Sequence, residues 1–383
     1  MSLEPDNYCD KIFHGLYVQR SWNNQTKIAP CCVAGQSEPK ELPIDFVNDK
    51  YLKKLRQNTK NNLRNTECNF CWKYEDNNQV SKRSEKFTNT TDDPSVILGL
   101  DYNTLPICNA KCIICGPKFS SSWIEDSIKL KKKGYNSKFM FYDASIKEID
   151  NKKFNHDGLD LSQLEILYFN GGEPLLTNDH IDVLSRIKDL ENVNLRYNSN
   201  GSIYPSNEVL EYWNKTKTTT IWFSIDAVGD QFNYVRFPLE WEEVKSNIIR
   251  LHNEQPKINV CLLCTIGIHN VFEIEKVLDW FYNDLIQAKS ADIGGDNINN
   301  QALTQLALGD LDLRYVDEKV RIQFINKLES IDKKYHHTTN YIIDYLKSTI
   351  EPPPNIIWNQ YFDHLDSIRS TNWRETFPEL ANA

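Results

Sequence analysis

Short apolar runs alternate with amphipathic stretches in the middle of the chain. The apolar runs have the length and composition of buried β-strands. They lie at Val96–Leu100, Leu164–Phe169, Val193–Tyr197, Thr219–Ile225 and Ile258–Ile266. Between them, apolar residues recur at helical spacing, as Val244, Ile248 and Leu251 do. Strands that alternate with helices predict an α/β fold with a mainly parallel sheet.

Both ends of the chain differ from this middle part. Residues 1–92 are polar and poor in long periodic segments, and Thr88–Pro94 has the composition of a linker. After residue 300 the pattern becomes mainly helical, and Val316–Tyr335 is predicted to be one helix. We therefore expect three parts: a small amino-terminal module (1–92), the α/β part (93–300) and a helical extension (301–383).

Composition and charge narrow the class of protein. Of the 383 residues, 40% are hydrophobic and 25% are charged, which is typical of a globular chain with a core. The net charge of −9 argues against strong nucleic-acid binding by phosphate neutralisation. The chain has neither the start of a signal peptide nor an apolar run of about 18 residues. We expect a soluble, cytoplasmic protein that does not associate with membranes.

Cysteines are concentrated near the amino terminus. Eight of the ten lie before residue 116. In a reducing compartment, clustered cysteines are more typical of metal ligands than of disulfides. The other two, Cys261 and Cys264, lie in a predicted strand and are expected to be core residues.

Three cysteines follow the first predicted strand with the spacing C-x3-C-x2-C: Cys108, Cys112 and Cys115. Pro106 precedes them and Pro117 follows, which predicts a loop. Three thiolates can bind three irons of a cubane cluster and leave the fourth iron open. Two alternatives are a zinc site with a fourth ligand elsewhere and one apolar face of a buried helix.

The triplet and the segments after it resemble the signature of the radical SAM superfamily, over about residues 95 to 290. After the second predicted strand comes a segment similar to the family's GGEP motif, and polar residues follow the next strands. The resembling positions outside the triplet are Ile114, Gly171, Gly172, Glu173, Pro174, Asn198, Ser199, Asn200, Ser224, Asp226, Arg236, Thr265 and Ile266. Ile114 departs from the family, which more often has an aromatic residue there.

The resemblance implies a partial (β/α)6 barrel that binds S-adenosylmethionine and a [4Fe–4S] cluster. In the family, the GGEP backbone contacts the methionine amino group, and the residues equivalent to Ser224 and Asp226 contact the ribose. Arg236 would bind the methionine carboxylate, and Thr265 and Ile266 would lie near adenine. The implied reaction is reductive cleavage of S-adenosylmethionine to a 5′-deoxyadenosyl radical, which abstracts hydrogen from a substrate.

The amino-terminal cysteines form a second set. Their order resembles SPASM or twitch modules, which hold auxiliary [4Fe–4S] clusters in radical SAM enzymes but usually follow the barrel. Five cysteines suffice for one four-cysteine cluster. We predict the ligands Cys9, Cys31, Cys68 and Cys71, with Cys32 as a substitute. The alternatives are a structural zinc site with the same four thiolates and a set of unconnected buried cysteines.

The resemblance also implies partners. An external one-electron reductant of the flavodoxin or ferredoxin type would supply the electron. The substrate would be a peptide or a small metabolite, and we favour a ribosomally made peptide because family members with auxiliary modules often modify peptides. Two other classes remain: a zinc-stabilised binding module and a non-catalytic iron–sulfur electron carrier. An electron carrier would need neither the GGEP-like segment nor the polar strand ends.

Overall fold

Two units make up the structure, a computed structural model that describes residues 7–21, 26–77, 79–135, 157–287, 301–307, 309–348 and 358–383. The first unit contains the described residues up to Pro106, residues 157–197 and Pro205–Thr219. The second contains the described residues from Ile107 to 135, Asn198–Tyr204 and those from Thr220 onward.

In the first unit, five strands follow the order β2-β1-β3-β4-β5. Their bounds are β1 Gly15–Arg20, β2 Thr26–Ala29, β3 Gly99–Asn103, β4 Ile166–Asn170 and β5 Asn194–Ser199, whose last two residues belong to the second unit. Strands β1 and β2 are antiparallel neighbours, whereas β1, β3, β4 and β5 are parallel neighbours. Strand β1 comes from the predicted amino-terminal module, and β3 from the predicted barrel.

Alternation of side chains explains how this sheet is covered. Leu167 and Phe169 on β4, and Leu195 and Tyr197 on β5, are fully buried, whereas the residues between them are partly exposed. Tyr197 packs against Trp213, with 5.2 Å between ring centroids, so helices cover the apolar face. The helices of this unit are α1 Asp10–His14, α2 Lys50–Lys60, α3 Asn69–Asp76, α5 Asp179–Leu184 and α6 Asn207–Lys215.

In the second unit, three strands follow the order β6-β7-β8. They are β6 Thr218–Ser224, which begins in the first unit, β7 Ile258–Ile266 and β8 Ala302–Leu306. Strands β7 and β8 are parallel. Its helices are α4 Trp123–Lys132, α7 Gly229–Val235, α8 Trp241–Glu254, α9 Ile274–Asp279, α10 Glu318–Ser330, α11 His336–Lys347, α12 Trp358–Arg369, α13 Trp373–Thr376 and α14 Pro378–Ala381, with a π-helix at Trp280–Leu285.

Short 3₁₀ helices connect many of these elements. They lie at Thr66–Cys68, Lys82–Ser84, Pro174–Leu176, Leu190–Asn192, Val271–Glu273, Gly309–Leu311, Leu313–Tyr315 and Lys333–Tyr335. Within the described residues, no helix is both long and apolar enough to cross a membrane.

The predicted α/β class with mostly parallel strands is confirmed. One helix prediction was wrong: the segment Val316–Tyr335 is not a single helix. Helix α10 ends at Ser330 because Ile331 is extended, and Asp332 then caps the next turn by accepting from the backbone N–H of Lys334. The segment predicted as a helical extension also contributes β8. The division at residues 92 and 300 and the partial barrel stay predictions.

Candidate functional site

The three cysteines with C-x3-C-x2-C spacing lie in a non-helical loop between β3 and α4, which we call the cysteine loop (residues 104–122). The loop predicted from the flanking prolines is therefore confirmed. The Cys112 side chain is buried, and those of Cys108 and Cys115 are partly buried. Burial raises the pKa of the Cys115 thiol, and negative charge on Cys112 and Cys108 would raise it further. The three thiols thus lie close enough to interact.

Nitrogen donors face two of the three sulfur atoms. The Nδ2 of Asn200 lies 3.7 Å from Sγ of Cys108, and the backbone N–H of Ala110 also donates to this sulfur, at 3.4 Å. The Nη1 of Arg236 donates to Sγ of Cys112, at 3.5 Å. Such contacts stabilise thiolate sulfur and, in iron–sulfur proteins, tune the cluster.

Residues from distant parts of the second unit hold the backbone of the cysteine loop. The N–H groups of Lys111 and Ile113 donate to the carbonyls of Phe237 and Val235, at 2.6 and 2.9 Å. Beside them, the hydroxyl of Tyr361 on α12 donates to the Ile113 carbonyl, at 2.7 Å. Because most backbone polar groups along this turn have partners, the loop is a fixed scaffold rather than an open coil.

Further contacts act at both ends of the loop. Trp123 Nε1 donates to the carbonyl of Cys112, at 2.9 Å, and Ser122 Oγ donates to that of Cys108, at 2.7 Å. Arg369 on α12 donates to the Lys111 carbonyl, at 2.9 Å, and pairs with Asp126. Aromatic and charged residues after position 357 therefore fasten the cysteine loop.

A buried ion pair lies beside Cys112. Nη2 of Arg236 is 2.5 Å from Oδ2 of Asp226, and both side chains are less than a tenth exposed. The other carboxylate oxygen of Asp226 accepts from the backbone N–H of Thr265, at 2.7 Å. Burial raises the pKa of the Asp226 carboxyl, and the guanidinium opposes that rise. The sequence singled out Asp226, Arg236 and Thr265 separately, and the structure brings them together.

Polar residues at the end of β5 also reach the cysteine loop. Asn200 donates from Nδ2 to Oδ1 of Asn109, at 2.9 Å, while its own Oδ1 accepts from the backbone N–H of Ser202. Ser199 is buried and accepts from the backbone N–H of Gly201. Asn198 and Ser224 are partly buried at their strand ends. Ile114 is partly exposed on the loop itself, and Ile266 is buried at the end of β7.

Two residues after β7 were missed by sequence reasoning. Asn270 donates to the carbonyls of Asp226 and Thr265, at 2.8 and 3.0 Å, and so links β6 to β7. His269 is buried, and within the described residues neither ring nitrogen has a hydrogen-bond partner. Burial, with the Arg236 charge, lowers its pKa to about 3, so the ring is neutral. The sequence feature that could have identified Asn270 and His269 is their position directly after a strongly apolar strand.

Some buried polar atoms in this part of the second unit lack hydrogen-bond partners among the described residues, so this region could bind a polar ligand. Besides both nitrogens of His269, Nε of Arg236 is buried without a hydrogen-bond partner in the described residues. A buried polar group left unsatisfied costs about 1 to 3 kcal/mol. Arg236, which we predicted to bind S-adenosylmethionine, and His269 therefore carry hydrogen-bonding capacity that a polar ligand would use.

The GGEP-like segment lies in the first unit, directly after β4. Gly171 has a φ of 120°, and a Cβ added there would lie 2.5 Å from Oδ1 of Asn103 and 2.8 Å from the backbone N of Thr104. Only glycine fits this close approach to the end of β3. Glu173 is buried and accepts from the backbone N–H of Leu175, which starts the 3₁₀ helix at Pro174. Gly172 is partly buried between them.

The predicted auxiliary ligands also lie together in the first unit. Cys9, Cys31, Cys68 and Cys71 line one small cavity, which we call the cysteine pocket, and Cys32 does not line it. Burial raises the pKa of the Cys68 thiol to about 12, with contributions from Cys9, Cys31 and Cys71. Cys68 and Cys71 reach the pocket because one turn of 3₁₀ and α-helix joins them.

Across the described residues, no group of three or more His, Cys, Asp and Glu side chains is close enough to hold a single metal ion. Ligands of a cubane cluster bind separate irons, so they are spaced more widely than ligands of one ion. Cys261 and Cys264 on β7 are fully buried, as expected for core residues. The Nδ2 of Asn270 lies 3.9 Å from the sulfur of Cys264.

No protein-family model matches the chain, and no curated protein matches it in sequence. Three solved structures are similar at 14% identity. They are anSMEcpe with bound AdoMet and Cp18Cys peptide (58% of this chain, 56% of that chain, TM-score 0.33), Streptococcus suis SuiB bound to S-adenosylmethionine (78%, 54%, 0.35), and TYW1 with a lysine-pyruvate adduct bound (58%, 70%, 0.29). The chain thus spans a little over half the length of anSMEcpe. Similarity at this level assigns no function, which has to come from the residues of the chain itself.

Proposed function

We propose that this protein is a radical SAM enzyme that holds a [4Fe–4S] cluster through Cys108, Cys112 and Cys115. The observation that carries the proposal is the cysteine loop itself. Three thiols share a braced, non-helical turn, and donors from Asn200 and Arg236 face two of the sulfurs. Three cysteines leave one iron without a protein ligand, as a cluster that binds a substrate requires.

When bound, such a cluster supplies the electron that cleaves S-adenosylmethionine reductively, and the 5′-deoxyadenosyl radical so released takes hydrogen from a substrate. The residues of the chain prepare the site for this. Arg236 places positive charge beside the Cys112 sulfur, which favours its thiolate form. Asp226 fixes the orientation of that guanidinium. Burial of the Cys112 side chain limits the access of water to its sulfur.

The remaining residues of the resemblance are proposed to bind S-adenosylmethionine. Gly171, Gly172, Glu173 and Pro174 would present their backbone to the methionine part. The polar strand ends of β5, β6 and β7 would contact the rest of the cofactor through Asn198, Ser199, Asn200, Ser224, Asp226, Thr265 and Ile266. To these we add His269, because its two unsatisfied nitrogens lie in a buried position. Ile114 would contribute through its backbone.

We further propose that Cys9, Cys31, Cys68 and Cys71 hold one auxiliary [4Fe–4S] cluster. Support comes from the cysteine pocket, which these four thiols share and Cys32 does not. A structural zinc ion would use the same four thiols, and metal analysis separates the two. A four-cysteine set suits a relay of electrons or a structural role.

Partners follow from this chemistry. An external one-electron reductant of the flavodoxin or ferredoxin type would deliver the electron, in a reducing compartment such as the cytoplasm that keeps the ten thiols available. The substrate class that we favour is a peptide, with a small metabolite as the other candidate.

Anaerobic purification tests the proposal. We expect a brown protein with about eight irons per chain, two cubanes of four, that forms 5′-deoxyadenosine from S-adenosylmethionine after dithionite reduction. The triple variant Cys108→Ala, Cys112→Ala, Cys115→Ala should lose about half of the iron and all 5′-deoxyadenosine formation. Cys261→Ala, a cysteine in the core of β7, is the matched control that should keep both.

Two outcomes would contradict the proposal. A colourless protein with stoichiometric zinc would indicate a zinc-stabilised module. A fully iron-loaded protein that never forms 5′-deoxyadenosine would indicate an electron carrier. An iron content near four per chain, with 5′-deoxyadenosine still formed, would contradict only the proposal of an auxiliary cluster.

A further inference from the structure

Polar side chains line up across four parallel strands of the first unit. Tyr17 on β1 is paired in register with Asp101 on β3, Asp101 with Tyr168 on β4, and Tyr168 with Arg196 on β5. Residues directly opposite each other on neighbouring strands point to the same face of a sheet. These four residues therefore form one row, which we call the polar row. The apolar residues beside them, such as Leu167 and Leu195, face the opposite side and are buried.

A cavity of about 70 Å³ lies against this row, at the amino-terminal ends of the strands. Its lining includes Gly15, Gly99 and Ile166, which are the first residues of β1, β3 and β4. We call it the strand-start cavity. A water molecule needs roughly 10 to 15 Å³ of such space, so the cavity has room for a ligand group of several non-hydrogen atoms.

Asp101, Tyr168 and Arg196 from the polar row line the strand-start cavity, together with Cys32. Cys32 is the cysteine that the cysteine pocket leaves out, and its side chain is exposed. Burial raises the pKa of its thiol, and the nearby Asp101 carboxylate raises it further. The vicinal pair Cys31-Cys32 is thus divided, with Cys31 in both cavities and Cys32 in the strand-start cavity only.

Charges around the cavity divide into two groups. Lys82 pairs with Glu85 at 2.6 Å, and Lys11 lies 3.7 Å from Asp10, so these two cations have anionic partners. Asp101 differs from them, because within the described residues its hydrogen-bond donor is a neutral amide: Asn170 donates to its Oδ1 at 2.7 Å. Lys82 and Arg196 act on the Asp101 charge from a longer distance.

Arg196 carries the opposite charge in the polar row. It lies two strands from Asp101, which places the two backbones about 10 Å apart at the usual strand spacing. Tyr168 stands between them. A carboxylate and a guanidinium that lie apart in a half-buried cavity lose solvation free energy, unless a ligand or water hydrogen-bonds to both. The two charges would meet complementary charges on a ligand that is itself bipolar.

We propose that the strand-start cavity is a binding site for a zwitterionic group, such as that of an α-amino acid. The ammonium group would donate to Asp101, and the carboxylate would accept from Arg196. Both side chains line the same cavity from one face of the sheet, so each could form a hydrogen bond of about 2.9 Å to one end of an amino-acid head group. This inference goes beyond the proposed function, because it concerns a cavity to which no cluster or S-adenosylmethionine contact is assigned.

Alkylation of Cys32 reports on the cavity directly. The protein, anaerobically purified with its iron, is treated with limiting iodoacetamide, and the modified fraction of Cys32 is followed by peptide mass spectrometry. Glycine, the smallest zwitterion, is the probe, and acetate and methylammonium at the same concentration are its single-charge controls. We expect glycine to slow alkylation of Cys32 at least threefold, and each control ion to slow it less than half as much.

Variants locate the effect. Protection by glycine, taken as the ratio of rates without and with the probe, should fall to about one in Arg196→Gln and in Asp101→Asn. The matched control is Arg186→Gln, an arginine of the same unit whose side chain is about half exposed and which does not line the cavity. Cys261 and Cys264 should stay unmodified throughout, which checks that each variant is folded.

Equal alkylation rates with and without glycine in the unaltered protein would overturn the inference. So would protection by acetate or methylammonium that matches that of glycine, or protection that survives in both cavity variants. None of these measurements requires cleavage of S-adenosylmethionine. Failure here would therefore leave the proposed radical chemistry standing, and failure of that chemistry would leave this site standing.

Discussion

Arg236 contacts Asp226 and Cys112 at the same time: one terminal nitrogen of its guanidinium lies 2.5 Å from the Asp226 carboxylate, and the other donates to the Cys112 sulfur at 3.5 Å. All three side chains are buried. One buried guanidinium therefore contacts both a carboxylate and a proposed cluster ligand. Removing it would leave the Asp226 carboxylate without its ion-pair partner and the Cys112 sulfur without its charged donor.

We expect Arg236→Gln to lower the free energy of unfolding by about 3 to 5 kcal/mol, the usual result of breaking one partner of a buried ion pair. Chemical denaturation of the metal-free protein measures this. Arg250→Gln, which breaks an exposed pair with Glu254, should cost much less.

A second variant separates charge from packing at this position. If the loss comes from an uncompensated Asp226 carboxylate, the double variant Asp226→Asn, Arg236→Gln should recover much of the stability that Arg236→Gln loses. Equal stability of the single and the double variant would contradict the electrostatic explanation.

Gly171→Ala should destabilise the protein by at least about 2 kcal/mol, because the added methyl group meets both strain at positive φ and a contact with Asn103 and Thr104. Gly134→Ala is the matched control: its φ is also positive, at 84°, but nothing lies within 4 Å of an added Cβ. It should cost about 1 kcal/mol. Equal losses from the two substitutions, measured by denaturation, would show that φ alone matters.

His180 makes stability depend on pH. Burial lowers its pKa from 6.5 to about 4, and Nδ1 is hydrogen-bonded to the Tyr197 hydroxyl. The unfolded chain binds a proton at a higher pH than the folded protein, so the stabilising effect of the neutral ring is present above pH 6.5 and is lost as pH falls toward 4.

Between pH 7 and pH 5 this linkage should remove about 2 kcal/mol from the free energy of unfolding. Comparison of denaturation curves at the two pH values tests it. In His180→Gln the pH-dependent loss should be smaller by that amount, while above pH 7 the two proteins should change in parallel. An identical loss in both proteins would assign the acid sensitivity to other groups.

Tyr361→Phe should loosen the cysteine loop. It leaves the Ile113 carbonyl without its hydroxyl donor, at a cost of about 1 to 2 kcal/mol. We expect an iron chelator to remove cluster iron several times faster from this variant than from the unaltered protein. Tyr345→Phe removes a similar hydroxyl contact, to Asp312 on the same unit, and should leave the release rate unchanged.

The strands were predictable because their apolar runs are contiguous. Ile258–Ile266 is β7 to the residue. The first predicted strand was displaced by about three residues. Its apolar run starts at Val96, but β3 extends through Asp101 to Asn103, since polar residues there occupy the face opposite the core.

The sequence did not show which strands pair or which cysteines share a pocket. Periodicity identifies a strand without its partner, so nothing in residues 15–20 indicated pairing with β3. The spacing of the five amino-terminal cysteines also did not separate Cys31 from Cys32. That distinction depends on the direction in which each side chain points from the same turn, which the folded structure shows and the sequence does not.

The contact between Tyr361 and Ile113 joins residues 248 positions apart. A ribosome adds about 5 to 20 residues per second, so this hydroxyl emerges between roughly 12 and 50 seconds after the cysteines do. During that interval the cysteine loop lacks its last support. The cysteines are therefore synthesised early, whereas the last hydrogen bond that holds their loop forms late. Insertion of iron into the fully supported loop has to follow synthesis of the helix that carries Tyr361.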